Sequence, residues 1–278
     1  FLLSKYFQQI LVSATNENIV TDPSGFLAPG QTARIPFALA ESEIDTTVVL
    51  FVDVPAVRLA VETPDGTVLS EAQLAALGAQ VTHGTNMTFC RMVLPLPVGT
   101  GAHGGTWHAV LKVDEARLKR EITKLAREVE KGTTHAVELE RIRAHGLRYC
   151  VTVSSWSNLR MSARLTQSDF NAGTMLRLTA VLTEYGLPVE RRARVNAEVR
   201  RPDGVTLTVP LAEELPGAFA AELIAGIDGV WRIRIRAAGR SHGGRPFTRE
   251  QLLSAAIIVG GSRPPQAPSG NDNALECL

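Results

Sequence analysis

Val57-Arg-Leu-Ala-Val-Glu-Thr-Pro64-Asp65-Gly66 and Val195-Asn-Ala-Glu-Val-Arg-Arg-Pro202-Asp203-Gly204 read as one device written twice. Each is a run of alternating side chains that ends in Pro-Asp-Gly. In such a turn proline presets φ and glycine supplies the left-handed position. The alternation is the period of a half-buried strand. Working outward, two further stretches match in the same order. Upstream, Leu27-Ala-Pro-Gly30-Gln-Thr-Ala-Arg-Ile-Pro-Phe-Ala-Leu39 aligns with Phe170-Asn-Ala-Gly173-Thr-Met-Leu-Arg-Leu-Thr-Ala-Val-Leu182. Downstream, Gly105-Thr-Trp107-His-Ala-Val-Leu-Lys112 aligns with Gly229-Val-Trp231-Arg-Ile-Arg-Ile-Arg236. Strand alternation places Trp107, Ala109 and Leu111 on one face, and likewise Trp231, Ile233 and Ile235.

Short strands of period two, separated by turns and repeated in order, are the pattern of an all-β sandwich of about a hundred residues. The reading is an all-β chain of two tandem immunoglobulin-like sandwiches. The first runs over 17–155 and the second over 156–261. Residues 1–16 read as a helix, either the last helix of an upstream domain or part of a signal peptide. In that helix Leu3, Phe7, Ile10 and Leu11 recur at helical spacing. Residues 262–278, rich in Pro, Gly and Asn, read as a disordered tail.

The repeat isolates a segment with no counterpart in the second copy. Residues 114–146 intervene where the first sandwich should turn back. Within Asp114 to Lys131, Leu118, Ile122, Leu125 and Val129 form one narrow helical stripe. Gly132-Thr-Thr breaks this helix, and Ala136 to Ala144 suits a second one with Leu139 and Ile142 inward. The expectation is an α-helical hairpin inserted near the end of the first sandwich, with Leu147 to Ser154 as the returning strand. Its stripe either packs on the parent sandwich or on its own second helix, or offers a coiled-coil-like surface to another protein. The second alternative makes Leu118, Ile122, Leu125 and Val129 the candidate partner contacts.

The quoted residues also resemble a known family. Asp22-Pro-Ser-Gly25 through Gly30, the Thr63-Pro-Asp-Gly66 turn and Gly101-Ala-His-Gly-Gly-Thr-Trp107-His resemble the region that follows a von Willebrand factor A domain in large bacterial proteins. Leu182-Thr-Glu-Tyr-Gly-Leu-Pro-Val189 and Gly239 through Arg249 resemble the bacterial immunoglobulin-like module found there. The resemblance implies an upstream metal-binding domain, whose final helix would be Phe1 to Leu11, and a β-sandwich stalk in this chain. The metal-binding Asp-x-Ser-x-Ser pattern of that domain is absent: Asp22-Pro-Ser24-Gly25 stops at the first serine.

Residues with chemical potential each have a structural role to set against it. His103 and His108 flank Gly-Gly-Thr-Trp without a third ligand at metal spacing. Ser154-Ser155 lies in a strand-like run rather than at a nucleophile elbow. Asp65 and Asp203 belong to their own turns, and Asp45 and Asp53 are single. Arg232, Arg234 and Arg236 alternate with Trp231, Ile233 and Ile235 as the solvated face of a strand. Cys90 and Cys150 lie in separate strand-like runs, either as free buried thiols or bridged if the strands are neighbours. Cys277 sits in the tail.

Across 278 residues Lys and Arg total 29 against 28 Asp and Glu, so no global field favours nucleic acid. No apolar run is long enough to span a bilayer. No catalytic, cofactor or metal residue is assigned. The expectation is a non-catalytic stalk or interaction module with a protein partner, in the cell envelope or outside the cell. The rival is the glycan- or polymer-binding accessory region of a larger secreted enzyme, which needs exposed aromatics such as Trp156 and Tyr185.

Overall fold

The computed structural model describes residues 2–15, 17–99, 103–130 and 136–258. The chain order begins with α1 (Leu2–Ala14), β1 (Asn18–Thr21), β2 (Ser24–Leu27), β3 (Thr32–Leu39), β4 (Glu43–Val52), β5 (Val57–Glu62) and β6 (Val68–Ser70). Next come α2 (Glu71–Ala76), β7 (Gln80–His83), β8 (Met87–Val93), β9 (Gly105–Val113), α3 (Glu115–Glu130), α4 (Ala136–His145) and β10 (Leu147–Ser157). The remainder is all strand: β11 (Leu159–Gln167), β12 (Thr174–Glu184), β13 (Leu187–Pro188), β14 (Ala193–Arg200), β15 (Thr206–Leu215), β16 (Ala218–Ala225), β17 (Gly229–Arg240) and β18 (Pro246–Ile257). The chain is thus mostly β, with a helical pair inserted between β9 and β10 as the sequence implied.

Three sheets result. One has the order β1-β10-β4-β8-β7, with β2 also on β10; a second runs β3-β9-β5-β6; the third runs β11-β12-β16-β15-β14-β17-β18, with β13 on β12. The first two share one core. Val48, Leu50, Cys90, Met92, Val151 and Val153 face Phe37, Leu39, Leu59, Val61, Trp107 and Leu111 across it. Phe37 stacks on Trp107 with ring centroids 6.5 Å apart. Alternation along β9 and β5 puts every second side chain into this core, as period two requires.

The strand–turn–strand device is built the same way in both copies. β5 pairs with β9, and β14 lies beside β17. Gly66 and Gly204 both adopt φ +87°. Asp65 and Asp203 each accept, through Oδ1, the N–H two residues on, at 3.1 Å. Trp107 and Trp231 each donate their indole N–H to the carbonyl four residues back, of His103 at 2.8 Å and Ile227 at 3.0 Å. Gly105 and Gly229 lie so close to Pro64 and Pro202 that an added Cβ would stand 2.9 and 2.7 Å from the proline Cβ. The two tryptophans are buried, as their shared faces imply.

The first matched element behaves differently. Gly30 and Gly173 both take positive φ, but β3 pairs with the Trp strand β9 whereas β12 pairs with β16. The alignment therefore extends to local conformation and not to the sheet partner. Partner choice depends on the hydrogen-bonding edges available, which local sequence does not encode.

By contacts the chain resolves into two compact units. One comprises Phe1–Met161, Leu182–Ala193 and Ala237–Glu250; the other comprises Ser162–Val181, Arg194–Arg236 and Gln251–Leu278. The first is tied together by a buried ion pair. Arg249 reaches Glu43 at 2.8 Å, with both side chains almost fully buried, and also donates to the carbonyls of Thr248 and Leu159 and to Ser157 Oγ. A second buried hub is Asp22, whose carboxylate accepts from Gln9 at 2.6 Å and Thr152 at 2.7 Å and pairs with Lys5 at 3.0 Å. Its backbone N–H donates to Glu250.

That hub reverses the reading of the first helix. α1 docks through Lys5 and Gln9, while Phe7, Ile10 and Leu11 are exposed. A buried carboxylate with its own donors outweighs the apolar stripe in choosing which face turns inward. In the second unit, the Gln251 side-chain amide satisfies both N–H and C=O of Ala163, at 2.8 and 3.1 Å. Ile258 N–H donates to the carbonyl of Phe170 at 2.8 Å. β11 and the end of β18 therefore run side by side in the same direction.

No helix among the described residues is long and apolar enough to cross a membrane. Cys90 and Cys150 are free. β4 separates their strands, and they face opposite sides of the sheet, Cys90 packing with Val48 and Cys150 with Phe51 and Val49. The alternative of a bridge between them is thereby closed, because a disulfide needs adjacent, facing Cβ atoms. The tail and Cys277 lie outside the described residues.

Candidate functional site

The helical hairpin is the one insertion in the repeat, and it is anchored at several points. Asp114 caps α3: its Oδ1 accepts the N–H of Arg117 at 3.0 Å, and its other oxygen accepts from Arg58 at 2.5 Å. The Arg58 guanidinium holds the Asp114 carboxyl below the usual range, aided by the Arg117 N–H. An aspartate cap satisfies an orphan N–H and complements the positive helix end. Leu118, 4 % exposed, enters the shared core of the first two sheets, and Ile122 and Leu125 pack against that core. Val129 is half-buried. The stripe Leu118, Ile122, Leu125 and Val129 is accordingly explained by packing on the parent domain, so its candidate role as a free partner surface does not stand.

α4 is held as firmly. Leu139 and Ile142 are buried, as their spacing implied. Arg141 pairs with Asp53 at 2.7 Å, and Asp53 also accepts the N–H groups of Arg148 at 3.0 Å and Val54 at 2.9 Å. Burial nonetheless pushes the Asp53 carboxyl up, more than these partners pull it down. Gly146 ends the helix at φ +85°, and an added Cβ would meet the Leu27 carbonyl oxygen at 2.6 Å. Glycine is required there by both conformation and space.

With its apolar stripe turned inward, α3 presents the opposite face outward. Lys119, Arg120, Lys124 and Arg127 are exposed there beside Ala116 and Thr123, around a shallow trough of about 620 Å³. The sequence reading overlooked this face because it sought apolar partner contacts. The signal was present in the spacing of the four cations, at i, i+1, i+5 and i+8.

The other candidates have internal roles. His103 contacts the carbonyl of Glu41 at 3.2 Å and lends its own carbonyl to Trp107. His108 lies 3.7 Å from Glu62. His242 sits between Glu184 at 3.4 Å and the carbonyl of Pro188 at 3.2 Å. Among the described residues, no three His, Cys, Asp or Glu side chains converge as a metal site. Asp65 is held ionised by Thr63 and Thr67 within its turn. Asp45 pairs with Arg91. Burial raises the Cys90 thiol to about 11 and also raises Cys150, so neither is a ready thiolate. Ser154 donates to Glu17 at 2.6 Å. Trp156 is 37 % exposed and Tyr185 is exposed too, in contrast to Trp107 and Trp231.

No family model matches the chain, and no curated protein matches it in sequence. Solved structures resemble it at low identity. A DUF4785 family protein from Legionella pneumophila has a TM-score of 0.50 and 11 % identity, covering 87 % of this chain and 63 % of that one. The Bacillus licheniformis lipase BlEst2 in its propeptide form has a TM-score of 0.43 and 11 % identity, covering 88 % and 42 %. The adhesin domain of Epf from Streptococcus pyogenes has a TM-score of 0.24 and 8 % identity, covering 82 % and 72 %. The chain spans less than two thirds of the length of the first two. At such identity the Legionella match speaks to the fold alone.

Proposed function

We propose that this chain is a non-catalytic structural and interaction module: two tandem immunoglobulin-like sandwiches serving as a stalk, with the helical hairpin as its docking element. The observation that carries the reading is the hairpin's anchoring. Leu118, Leu139, Ile142 and the Asp53–Arg141 pair fix it to the parent domain while leaving one long helical face exposed. A rigid element with an uncommitted polar face suits recognition by another protein. The duplicated Pro-Gly-Trp device supports a tandem architecture, and the parallel approach of β11 and β18 supports an immunoglobulin-like second copy. By resemblance, the stalk would follow a von Willebrand factor A-type domain with its own metal, in the cell envelope or outside the cell.

A photo-crosslinking residue in place of Thr123, on the outer face of α3, tests the reading in cells that make the protein. The expected result is a crosslinked polypeptide from this position and none from the exposed Thr208 of β15. Equal labelling from both positions, or none from either, overturns it. The rival accessory-region reading gains from the exposure of Trp156 and Tyr185. It requires retardation of the chain by immobilised glycans that is lost in Trp156→Ala.

A further inference from the structure

We propose that the outward face of α3 binds an acidic α-helix of a partner polypeptide. This rests on the interaction-module reading and names the partner's chemistry.

The face is defined by what lies beneath it. At 100° per residue Lys119, Arg120, Thr123, Lys124 and Arg127 fall on the side of α3 opposite Leu118, Ile122 and Leu125. Because the apolar side is committed to the core, the cations cannot rotate inward without unpacking it. Lys119 stands on one side of the trough, Arg120 and Lys124 on the other, with Ala116 and Thr123 as its floor. Short floor side chains let another backbone approach while the long cations reach around it. From Ala116 to Arg127 the trough follows the helix for about 16 Å at 1.5 Å per residue.

The charges are also uncommitted. Among the described residues, no carboxylate closes an ion pair with Lys119, Arg120, Lys124 or Arg127. Arg120 adds only to the field that keeps Asp114 ionised. Four like charges along one face repel one another, a cost of a few tenths of a kcal/mol per adjacent pair that an anionic occupant reverses.

The composition of the face selects among anions. It carries no aromatic side chain on which bases or sugar rings could stack. It carries no exposed large apolar side chain to insert into a bilayer, since those of α3 point to the core. What remains is a row of cations at helical spacing, matched by carboxylates at i, i+3, i+4 and i+7 of a second helix with the same rise. Such pairing sets partner choice along helix–helix seams.

The test uses the full chain and a fluorescent, end-capped Ala/Glu helical peptide with glutamates on one face. Fluorescence anisotropy should show saturable binding that weakens with salt. In Lys119→Glu/Lys124→Glu affinity should fall at least about tenfold while the urea midpoint is kept. The Gln-for-Glu version of the peptide should not bind. The proposal is overturned if the peptide fails to saturate, if the double variant binds equally well, or if phosphatidylglycerol vesicles or a DNA duplex bind more tightly. Those failures leave the module reading standing, because crosslinking from Thr123 does not presuppose the partner's charge.

Discussion

Alanine at Gly105 or Gly229 probes the duplicated device at its tightest point. Both glycines have positive φ, +154° and +120°, in a region that L side chains rarely enter. That strain alone costs about 1–3 kcal/mol. An added Cβ would also stand 2.9 Å from the Pro64 Cβ and 2.7 Å from the Pro202 Cβ, and a proline ring is a stiff neighbour. Overpacking of this kind adds about 1–3 kcal/mol, so each substitution should cost about 2–4 kcal/mol. The control lies within the same motif. Gly66 and Gly204 have φ +87° with nothing within 4 Å of an added Cβ. Alanine there carries backbone strain only, about 1–2 kcal/mol. Urea unfolding should be followed separately in each copy, using Trp107 fluorescence in a Trp231→Phe, Trp156→Phe background, and the converse for Trp231. The reasoning is refuted if Gly105→Ala is as mild as Gly66→Ala, or if the two copies respond with different orders of cost.

Leu118→Ala should destabilise the chain by about 2–3 kcal/mol, the lower part of the range for buried leucines because the helix can settle. Lys124→Glu should change stability by less than about 0.5 kcal/mol. Similar urea midpoints for the two variants would contradict the assignment of inner and outer faces. Arg249→Met should cost about 3–5 kcal/mol by leaving Glu43 buried and unpaired, and Glu43→Gln in the same chain should restore much of the loss. Additive losses in that cycle would count against the pair. For Asp53, burial raises the folded-state carboxyl above its unfolded value, so its stabilisation is full at acid pH and is lost as pH rises through the folded midpoint. Asp114 and Asp65, both held low, act in the opposite sense and lose their contribution as pH falls. The stability advantage of the parent over Asp53→Asn should therefore shrink as pH rises from about 3 to 6, and a growing advantage would contradict the burial argument.

What was legible in the sequence was local. The Pro-Asp-Gly turns, the Trp strands and the two inserted helices each follow from a residue pattern that needs no distant partner. Gly66 and Gly204 are glycine for their own φ, and Leu139 and Ile142 are inward by spacing alone. What was not legible depended on which surfaces meet. The opposite pairing of β3 and β12 is decided by sheet edges that no single segment encodes. α1 turns its apolar stripe outward because Asp22 and Glu250, far apart in sequence, prepare a polar seat for Lys5. The cationic face of α3 became identifiable as a surface only once Leu118 was placed in the core. The same side chains in a free coiled coil would have had the reverse meaning.

The account depends most on the hairpin being part of its parent domain, with only its outer face free. Native-state hydrogen exchange of the intact chain, resolved by peptide, measures this directly. The expected result is that amides of α3 around Leu118 and of α4 around Ile142 open with nearly the same free energy as those of β9 and β10. Exchange of both helices within seconds, while β9 and β10 stay protected, would contradict it.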